Sequence, residues 1–400
     1  MNFFDDNILL SNETAKKLYG GVKDLPIIDY HCHLNEKEIA ENKTFSDIGE
    51  LWLAGDHYKW RAMRLCDVDE KYITGSASYE EKFYKYAEIM PLLAGNPLFH
   101  FSHLELKNIF GITMVLSEDT AKEVWEKANA KLKNLSVRKL LKLFKVEYIA
   151  TTDDPVSELK YHGKYGDTIV CPTFRPDKAF EESGYDRTGL IKQLDYFVSK
   201  GCKISDHGMD FSPTGKNADT LEFLAGEYKK RGIIMQLHIG TMRNINSTAF
   251  KSLGRDSGFD VFRAAVDTDA LVSFLDRLHS KNSLPKTIIY SLNPKAIPAL
   301  CAISGAFPNV RIGAAWWYND SLQGIKQQLS YISEYAVLGT FLGMLTDSRS
   351  FASYVRFDFF RRILADYLGG LIERGEYEIN RAKDLMNRIC YTNAKEFIGL

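Results

Sequence analysis

Eight short apolar runs rich in β-branched and aromatic residues recur along the chain, with amphipathic helical stretches between most of them. Strands that alternate with helices pair in parallel, and eight such units close a TIM barrel, so the pattern predicts an α/β fold of the (β/α)8 class. The alternative is an open doubly wound sheet, but the chain has neither a Gly-x-Gly-x-x-Gly nor a Walker A phosphate loop. Strands are predicted near 26–31, 146–151, 168–174, 202–206, 233–239, 286–291, 310–315 and 341–346, and helices at 217–231, 268–281, 321–338 and 351–371.

One long segment interrupts this alternation. Residues 35–145 separate the first two predicted strands, and they read as mostly helical and rich in aromatic residues. An insertion of this length is usually functional. We therefore expect a barrel formed by residues 1–34 and 146–400, with residues 35–145 as a helical insertion subdomain over the barrel mouth.

Composition excludes several classes of function. Hydrophobic residues make up 45% and charged residues 26% of the chain, as in ordinary globular proteins, and the formal net charge is −1. Such a balance favours neither nucleic acid nor an anionic membrane as a partner. The start of the chain lacks the features of a signal peptide, and the six cysteines are scattered, which is typical of reduced cysteines in the cytoplasm. We expect a cytoplasmic protein.

A candidate metal site lies at the ends of the first and last predicted strands. His31 and His33 follow strand 1 and point the same way, because side chains alternate along a strand. Asp347 follows strand 8, which lies beside strand 1 in a closed barrel. Two imidazoles and a carboxylate suit one divalent ion, with Zn²⁺ expected first and Mn²⁺ or Fe²⁺ as alternatives. The competing interpretations are exposed loop histidines and an N-cap role for Asp347.

Further polar side chains follow other predicted strands. His238 is either a fourth ligand or an acid–base group, the alternative being a hydrogen-bonded core histidine. Arg175, Arg243 and Arg349 each lie just past a strand, and arginine holds carboxylates through paired hydrogen bonds. Trp316 ends strand 7, and we expect it to contact the substrate together with the arginines. Three arginines at one barrel mouth predict a small acidic ligand, although each alone is typical of a surface ion pair.

The insertion carries the pair His57-Tyr58. A histidine and a tyrosine next to basic residues can move protons if the insertion folds over the mouth. Their spacing alone, however, indicates a structural role.

Several blocks of the chain together resemble the uronate isomerase (glucuronate isomerase) family, a divergent branch of the amidohydrolase superfamily, nearly from end to end. The blocks are Asp29-Tyr30-His31-Cys32-His33-Leu34, Gly55-Asp56-His57-Tyr58-Lys59-Trp60-Arg61, Thr151-Thr152-Asp153-Asp154-Pro155, Arg175-Pro176-Asp177-Lys178, Ser205-Asp206-His207, His238-Ile239-Gly240 with Arg243, Trp316-Trp317-Tyr318-Asn319-Asp320 and Thr346-Asp347-Ser348-Arg349-Ser350.

The resemblance implies interconversion of D-glucuronate with D-fructuronate and of D-galacturonate with D-tagaturonate. It places His31, His33 and Asp347 around the metal. It also implies that His57, Tyr58, Arg175, His238 and Arg349 surround the substrate, which reverses the structural interpretation of the His57-Tyr58 pair. A homo-oligomer is expected as well.

Some alternatives stay open at this point. The chain is shorter than full-length members of the family, with the shortage expected between strands 3 and 4 and just after strand 4. A metal-dependent hydrolase on the same barrel, a sugar-acid binder and an isomerase of neutral sugars are the competing functions. Within the isomerase hypothesis, an enediolate forms, and the proton carrier is either Asp347 or the His57-Tyr58 pair.

Overall fold

The computed structural model describes residues 3–180, 186–209 and 213–400. Its strands are β1 (Ile27–Asp29), β2 (Val146–Ala150), β3 (Gly163–Tyr165), β4 (Thr168–Cys171), β5 (Thr173–Phe174), β6 (Ile204–Met209), β7 (Ile234–Ile239), β8 (Thr241–Met242), β9 (Val261–Phe262), β10 (Thr287–Ser291) and β11 (Val310–Ile312).

Parallel pairing runs through the predicted strands in chain order. β1 pairs with β2 and β2 with β4, while β5, β6, β7, β10 and β11 form a second parallel run. Asp153, just after β2, forms a parallel bridge with Phe174 in β5. This bridge joins the two runs of strands into one curved wall. The antiparallel strand β3 and the separate two-stranded antiparallel sheet of β8 and β9 are additions to this wall. The fold is therefore a (β/α)8 barrel, as predicted.

The eighth segment of the wall differs from the prediction. Residues 341–346 are buried but form no regular strand. Gly343 has φ of +73°, and a Cβ there would lie 2.2 Å from the Ile389 carbonyl oxygen, so the backbone leaves strand geometry at this glycine. Just beyond, the Asp347 N–H donates to the His31 carbonyl at 3.1 Å. The chain thus still runs beside the end of β1, which brings the predicted metal donors together.

Helices fill the segment between β1 and β2 and alternate with the later strands. The first helix, α1 (Glu13–Gly20), precedes the barrel, and those between β1 and β2 are α2 (Glu36–Ala40), α3 (Ile48–Leu53), α4 (His57–Leu65), α5 (Tyr79–Ile89), α6 (Pro97–Glu105), α7 (Ala121–Leu132) and α8 (Val137–Leu143). The others are α9 (Arg187–Ser199), α10 (Gly215–Arg231), α11 (Ser247–Leu253), α12 (Thr268–Ser280), α13 (Ile297–Ala306), α14 (Leu322–Tyr335), α15 (Val355–Glu373), α16 (Ile379–Asn387) and α17 (Asn393–Ile398).

Local sequence explains the helix ends. Ser78 and Glu81 form a reciprocal capping box at the start of α5. Asp56 caps α4 by accepting from the Tyr58 and Lys59 N–H groups. Gly232, with φ of +68°, ends α10. No helix in the described ranges is long and apolar enough to cross a membrane.

A polar layer inside the barrel forms the floor beneath the strand ends. The Tyr290 hydroxyl donates to Gln236 Oε1 at 2.8 Å, and Gln236 Nε2 donates to the Tyr30 carbonyl at 3.1 Å. Gly313 makes room for this layer, because a Cβ there would lie 2.0 Å from the Tyr290 ring. These bonds satisfy polar groups buried in the barrel and fix the ring on which His238 stacks.

Candidate active site

A cavity of about 720 Å³ opens at the carboxyl ends of the strands. Nine of the predicted site residues line it: His31, His33, His57, Arg175, His238, Arg243, Trp316, Asp347 and Arg349. Tyr58 is absent from the cavity wall. It is buried behind it, with its ring 4.7 Å from the Arg356 guanidinium carbon. The structure therefore brings together residues from the barrel and from the insertion.

The predicted metal donors converge on one carboxylate oxygen. Asp347 Oδ1 lies 3.2 Å from His31 Nε2 and 3.1 Å from His33 Nε2. The second oxygen, Oδ2, accepts a hydrogen bond from the Trp316 indole N–H. Asp347 has φ of +45°, in the left-handed region that few non-glycine residues adopt, and such strain is concentrated at functional sites.

The protonation of these groups suits a cation. Burial lowers the pKa of His33 to about 4, which keeps its imidazole neutral and its nitrogen lone pair available. Burial also opposes ionisation of Asp347, but hydrogen bonds from His31 and His33 outweigh it and hold the pKa of this carboxyl well below its usual range. The three donor atoms lie within 4.8 Å of one another. Burial opposes protonation of His31, but the charges of Asp206 and Asp347 outweigh it and raise the pKa of this imidazole, so a bound cation would take the place of a proton there. Two imidazoles and an ionised carboxylate therefore fit one divalent ion.

His238 stands next to this group in a fixed orientation. Its ring stacks on Tyr290 with centroids 4.2 Å apart and lies 4.5 Å from the His31 ring. Nδ1 donates to Asp206 Oδ1 at 2.6 Å, while Nε2 is buried and has no hydrogen-bond partner within the described structure. Burial lowers the pKa of His238 to about 4. A neutral imidazole with a free Nε2 thus remains beside the candidate metal donors.

Asp206 also connects His238 to the arginines. Its Oδ2 accepts from Arg175 Nη1 at 2.9 Å, and Arg175 Nε donates to Asp177 at 2.9 Å. Burial raises the pKa of the Asp206 carboxyl, yet Arg175 and the neighbouring histidines outweigh this and hold it well below its usual range. Asp206 is therefore an ionised, buried group that positions two side chains at once.

The other two predicted arginines are paired more loosely. Arg349 Nη2 lies 3.1 Å from Asp256 Oδ2, and Arg243 Nη1 lies 3.5 Å from Asp260 Oδ2. Both aspartates belong to the segment between α11 and β9, which crosses the mouth of the cavity. Guanidinium groups with weak or partly exposed partners keep donors available for an anion.

His57 reaches the cavity from the first turn of α4. Its ring meets Trp317 edge-to-face, with centroids 5.3 Å apart, and lines the cavity wall. Burial lowers the pKa of His57 to about 4, and the charge of Arg349 adds to this shift. The insertion therefore delivers a neutral imidazole to the barrel mouth. Sequence spacing alone indicated a structural role for this residue, because spacing gave no sign that α4 faces the strand ends.

Sequence reasoning missed several carboxylates. Asp206, Asp177 and Asp256 each pair with an arginine that was singled out, but none was assigned a role of its own. For Asp206 a signal was present, since it lies at the end of a predicted strand in the same way as His238. For Asp256 there was none, because it lies in a loop far from any predicted strand end.

The fold and the site define a (β/α)8-barrel enzyme with a candidate metal centre. Comparison with known proteins then gives the family. The sequence model described as glucuronate isomerase matches residues 1–188 and 214–398. This chain belongs to the glucuronate isomerase family. The interval between the two matched stretches surrounds β6, where the chain was expected to be short.

Individual relatives are similar to this chain over the whole length of both proteins. The uronate isomerase of Caldicellulosiruptor saccharolyticus is 43% identical over 460 aligned positions, which cover 99% of each chain. The uronate isomerase of Clostridium perfringens is 39% identical, again with 99% of each chain covered. The crystal structure of uronate isomerase from Thermotoga maritima superposes with a TM-score of 0.93 at 34% identity, covering 100% of both chains. The structure of glucuronate isomerase from Caulobacter crescentus shares the fold, with a TM-score of 0.89 at 24% identity, covering 99% of this chain and 97% of the other.

Proposed function

We propose that this chain interconverts D-glucuronate with D-fructuronate and D-galacturonate with D-tagaturonate by proton transfer through an enediolate. One observation carries the proposal: a polar cavity at the strand ends holds candidate metal donors, arginines and neutral imidazoles together. The same chemistry, aldose–ketose isomerisation, follows from membership of the family. We further propose that the enzyme is cytoplasmic. We also propose that it forms a homo-oligomer, and light scattering of the purified protein tests this oligomeric state.

His31, His33 and Asp347 would hold the divalent ion, for which Zn²⁺ is our first candidate. When bound there, the ion supplies positive charge that stabilises oxyanions and orients substrate oxygens. The protein's own side chains bind the substrate carboxylate and transfer the proton.

The arginines bind and orient that carboxylate. Arg175 is held rigidly by Asp206 and Asp177, and its remaining Nη2 atom is directed over Gly208. Arg243 brings a second Nη2 atom to the same place. Paired, charge-assisted hydrogen bonds from guanidinium groups select an acidic sugar over a neutral one. This explains why the cavity suits a uronate better than an ordinary aldose.

The proton carrier is His57 in this proposal. The imidazole is neutral and lines the cavity, so it can accept the proton from C2 and return it to C1, while the hydroxyl proton on O2 moves to O1 of the enediolate. Asp347 is already engaged with His31, His33 and Trp316. Tyr58 is buried with its ring 4.7 Å from the Arg356 guanidinium carbon and does not line the cavity, so His57 is the member of the pair that we assign to proton transfer.

Proton NMR in heavy water tests the reaction type. Purified enzyme, stripped of metal and then restored with Zn²⁺, is incubated with D-glucuronate and followed over many turnovers. Deuterium at C1 of the ketose and at C2 of recovered aldose is expected. Turnover without any deuterium at either carbon would indicate hydride transfer instead. Release of an acid or amine from lactone or amide substrates, without isomerisation, would indicate a hydrolase.

His57→Asn tests the proton carrier. The variant should lose kcat by about 100-fold or more with little change in KM, because general acid–base groups contribute 10²–10⁴-fold. If instead the deuterium exchange rate survives in His57→Asn and disappears in Asp347→Asn that still retains metal, Asp347 carries the proton.

A further inference from the structure

We infer that Gly208 is a specificity-determining position: the missing side chain lets Arg175 and Arg243 place their free guanidinium ends side by side as one carboxylate clamp. This inference rests on the proposed function, since it concerns how the uronate carboxylate is recognised.

Atoms of two charged guanidinium groups lie unusually close to Gly208. Gly208 lies in β6, paired in register with His238 on β7, so it faces the same end of the barrel. A Cβ at this position would lie 2.7 Å from Arg175 Nη2 and 2.9 Å from Arg243 Nη2. Two guanidinium ends thus occupy the space that a side chain would fill. Its backbone φ does not require glycine, so the space is the physical reason for the residue.

The two guanidiniums are not equally fixed. Arg175 donates through Nε to Asp177 and through Nη1 to Asp206, and only 15% of its side chain is exposed. Arg243 Nη1 lies 3.5 Å from Asp260 Oδ2, a longer contact than either of those of Arg175, and 35% of its side chain is exposed. Two like charges brought together favour an anion between them. A side chain at residue 208 would therefore press on both guanidinium groups, and Arg243, the less firmly held of the two, would move further, which weakens the clamp.

Gly208→Ala tests this directly. The obstructing atoms are the ends of flexible side chains, so the variant should fold while Arg243 swings away. We expect KM for D-glucuronate to rise roughly 10- to 100-fold with kcat little changed, as for the loss of a charged hydrogen bond to substrate. Gly226→Ala is the matched control, because Gly226 in α10 has nothing within 4 Å of an added Cβ. It should leave KM unchanged.

A double-mutant cycle separates the clamp from a general structural effect. Removal of Arg243 leaves only the contact with Arg175, so Gly208→Ala should raise KM by a clearly smaller factor in the Arg243→Ala background than in the wild type. Combined with Arg349→Ala, whose guanidinium is not among the nearest atoms to a Cβ at residue 208, the Gly208→Ala effect should multiply. The thermal midpoint of each variant is measured in parallel.

Three results would overturn the inference. They are an unchanged KM in Gly208→Ala, effects of Gly208→Ala and Arg243→Ala that multiply fully, and unfolding of Gly208→Ala that removal of Arg243 does not relieve. Failure of the proposed function is distinguishable, because the wild-type enzyme would then not isomerise uronates at all.

Discussion

Nδ1 of His238 donates to Oδ1 of Asp206 across 2.6 Å, in a fully buried pair. This bond decides which imidazole nitrogen faces the cavity, and the other Asp206 oxygen holds Arg175. Groups that orient a functional imidazole are typically worth 10–100-fold. We therefore expect Asp206→Asn to lower kcat/KM for D-glucuronate by about 100-fold, because the amide can no longer accept both bonds as an anion.

The matched control for this variant is Asp195→Asn. Asp195 also pairs with an arginine, Arg231, at 2.7 Å, but on the exposed surface. It should retain wild-type kcat/KM. Equal activity of the two variants would show that Asp206 is dispensable and that His238 is oriented by stacking on Tyr290 alone.

If His31, His33 and Asp347 hold the ion as proposed, removal of one of them should lower the amount of bound metal. His33→Ala removes one of the three converging donors, and its side chain is 25% exposed, so the change should leave the fold intact. After loading with Zn²⁺ and dialysis, its metal content measured by mass spectrometry should fall well below one ion per chain. His279→Ala, at an exposed position of α12, should keep the wild-type content. Full retention of Zn²⁺ by His33→Ala would show that the ion binds at another site.

We expect the stability of the fold at acid pH to depend on His103, which lies in α6 and does not line the cavity. Its Nδ1–H donates to the Phe99 carbonyl at 2.7 Å, and Nε2 accepts from the Leu116 N–H at 3.0 Å. Both nitrogens are thus satisfied only in the neutral form, and burial lowers the pKa from 6.5 to about 4. Because the unfolded chain takes up the proton first, stability is complete above pH 6.5 and falls as the pH drops toward 4.

The cost of holding His103 neutral is on the order of 3 kcal/mol by the bottom of this window. Urea unfolding at a series of pH values measures it. His103→Asn removes the titrating group, so its free energy of unfolding should decline less steeply between pH 6.5 and 4 than that of the wild type. Parallel slopes for the two proteins would assign the acid sensitivity to other groups.

The convergence of the candidate metal donors followed from the sequence, and the reason is geometric. Strand alternation puts His31 and His33 on one side, and barrel closure brings Asp347 to them, whether or not residues 341–346 form a regular strand. The break at Gly343 was not predictable, because it depends on the Ile389 carbonyl oxygen, which is distant in sequence.

The same dependence on contacts distant in sequence explains why the orientation of His57 and the carboxylate partners of the arginines were not predicted. His57 and Tyr58 are adjacent on α4, yet only His57 faces the cavity, since the rotation of a helix about its axis is set by tertiary packing. Likewise, the partners of the arginines could not be read from spacing. Arg175 pairs with Asp206, which is 31 residues away.

The loop that crosses the cavity mouth is held by α4, and this contact gives a final prediction. Arg64 Nη1 donates to the Ser257 carbonyl at 2.5 Å, while its Nε and Nη2 atoms donate to Glu70. The adjacent Asp256 pairs with Arg349, so a loosened loop would also release that arginine. Arg64→Met keeps the length and removes the donors. Hydrogen exchange in residues 254–260 should then quicken by about tenfold, as expected for one lost charged hydrogen bond, and KM should rise. Arg374→Met, which removes an exposed pair with Glu376, should change neither. Unaltered exchange in Arg64→Met would mean that the loop is held by its own contacts with the barrel.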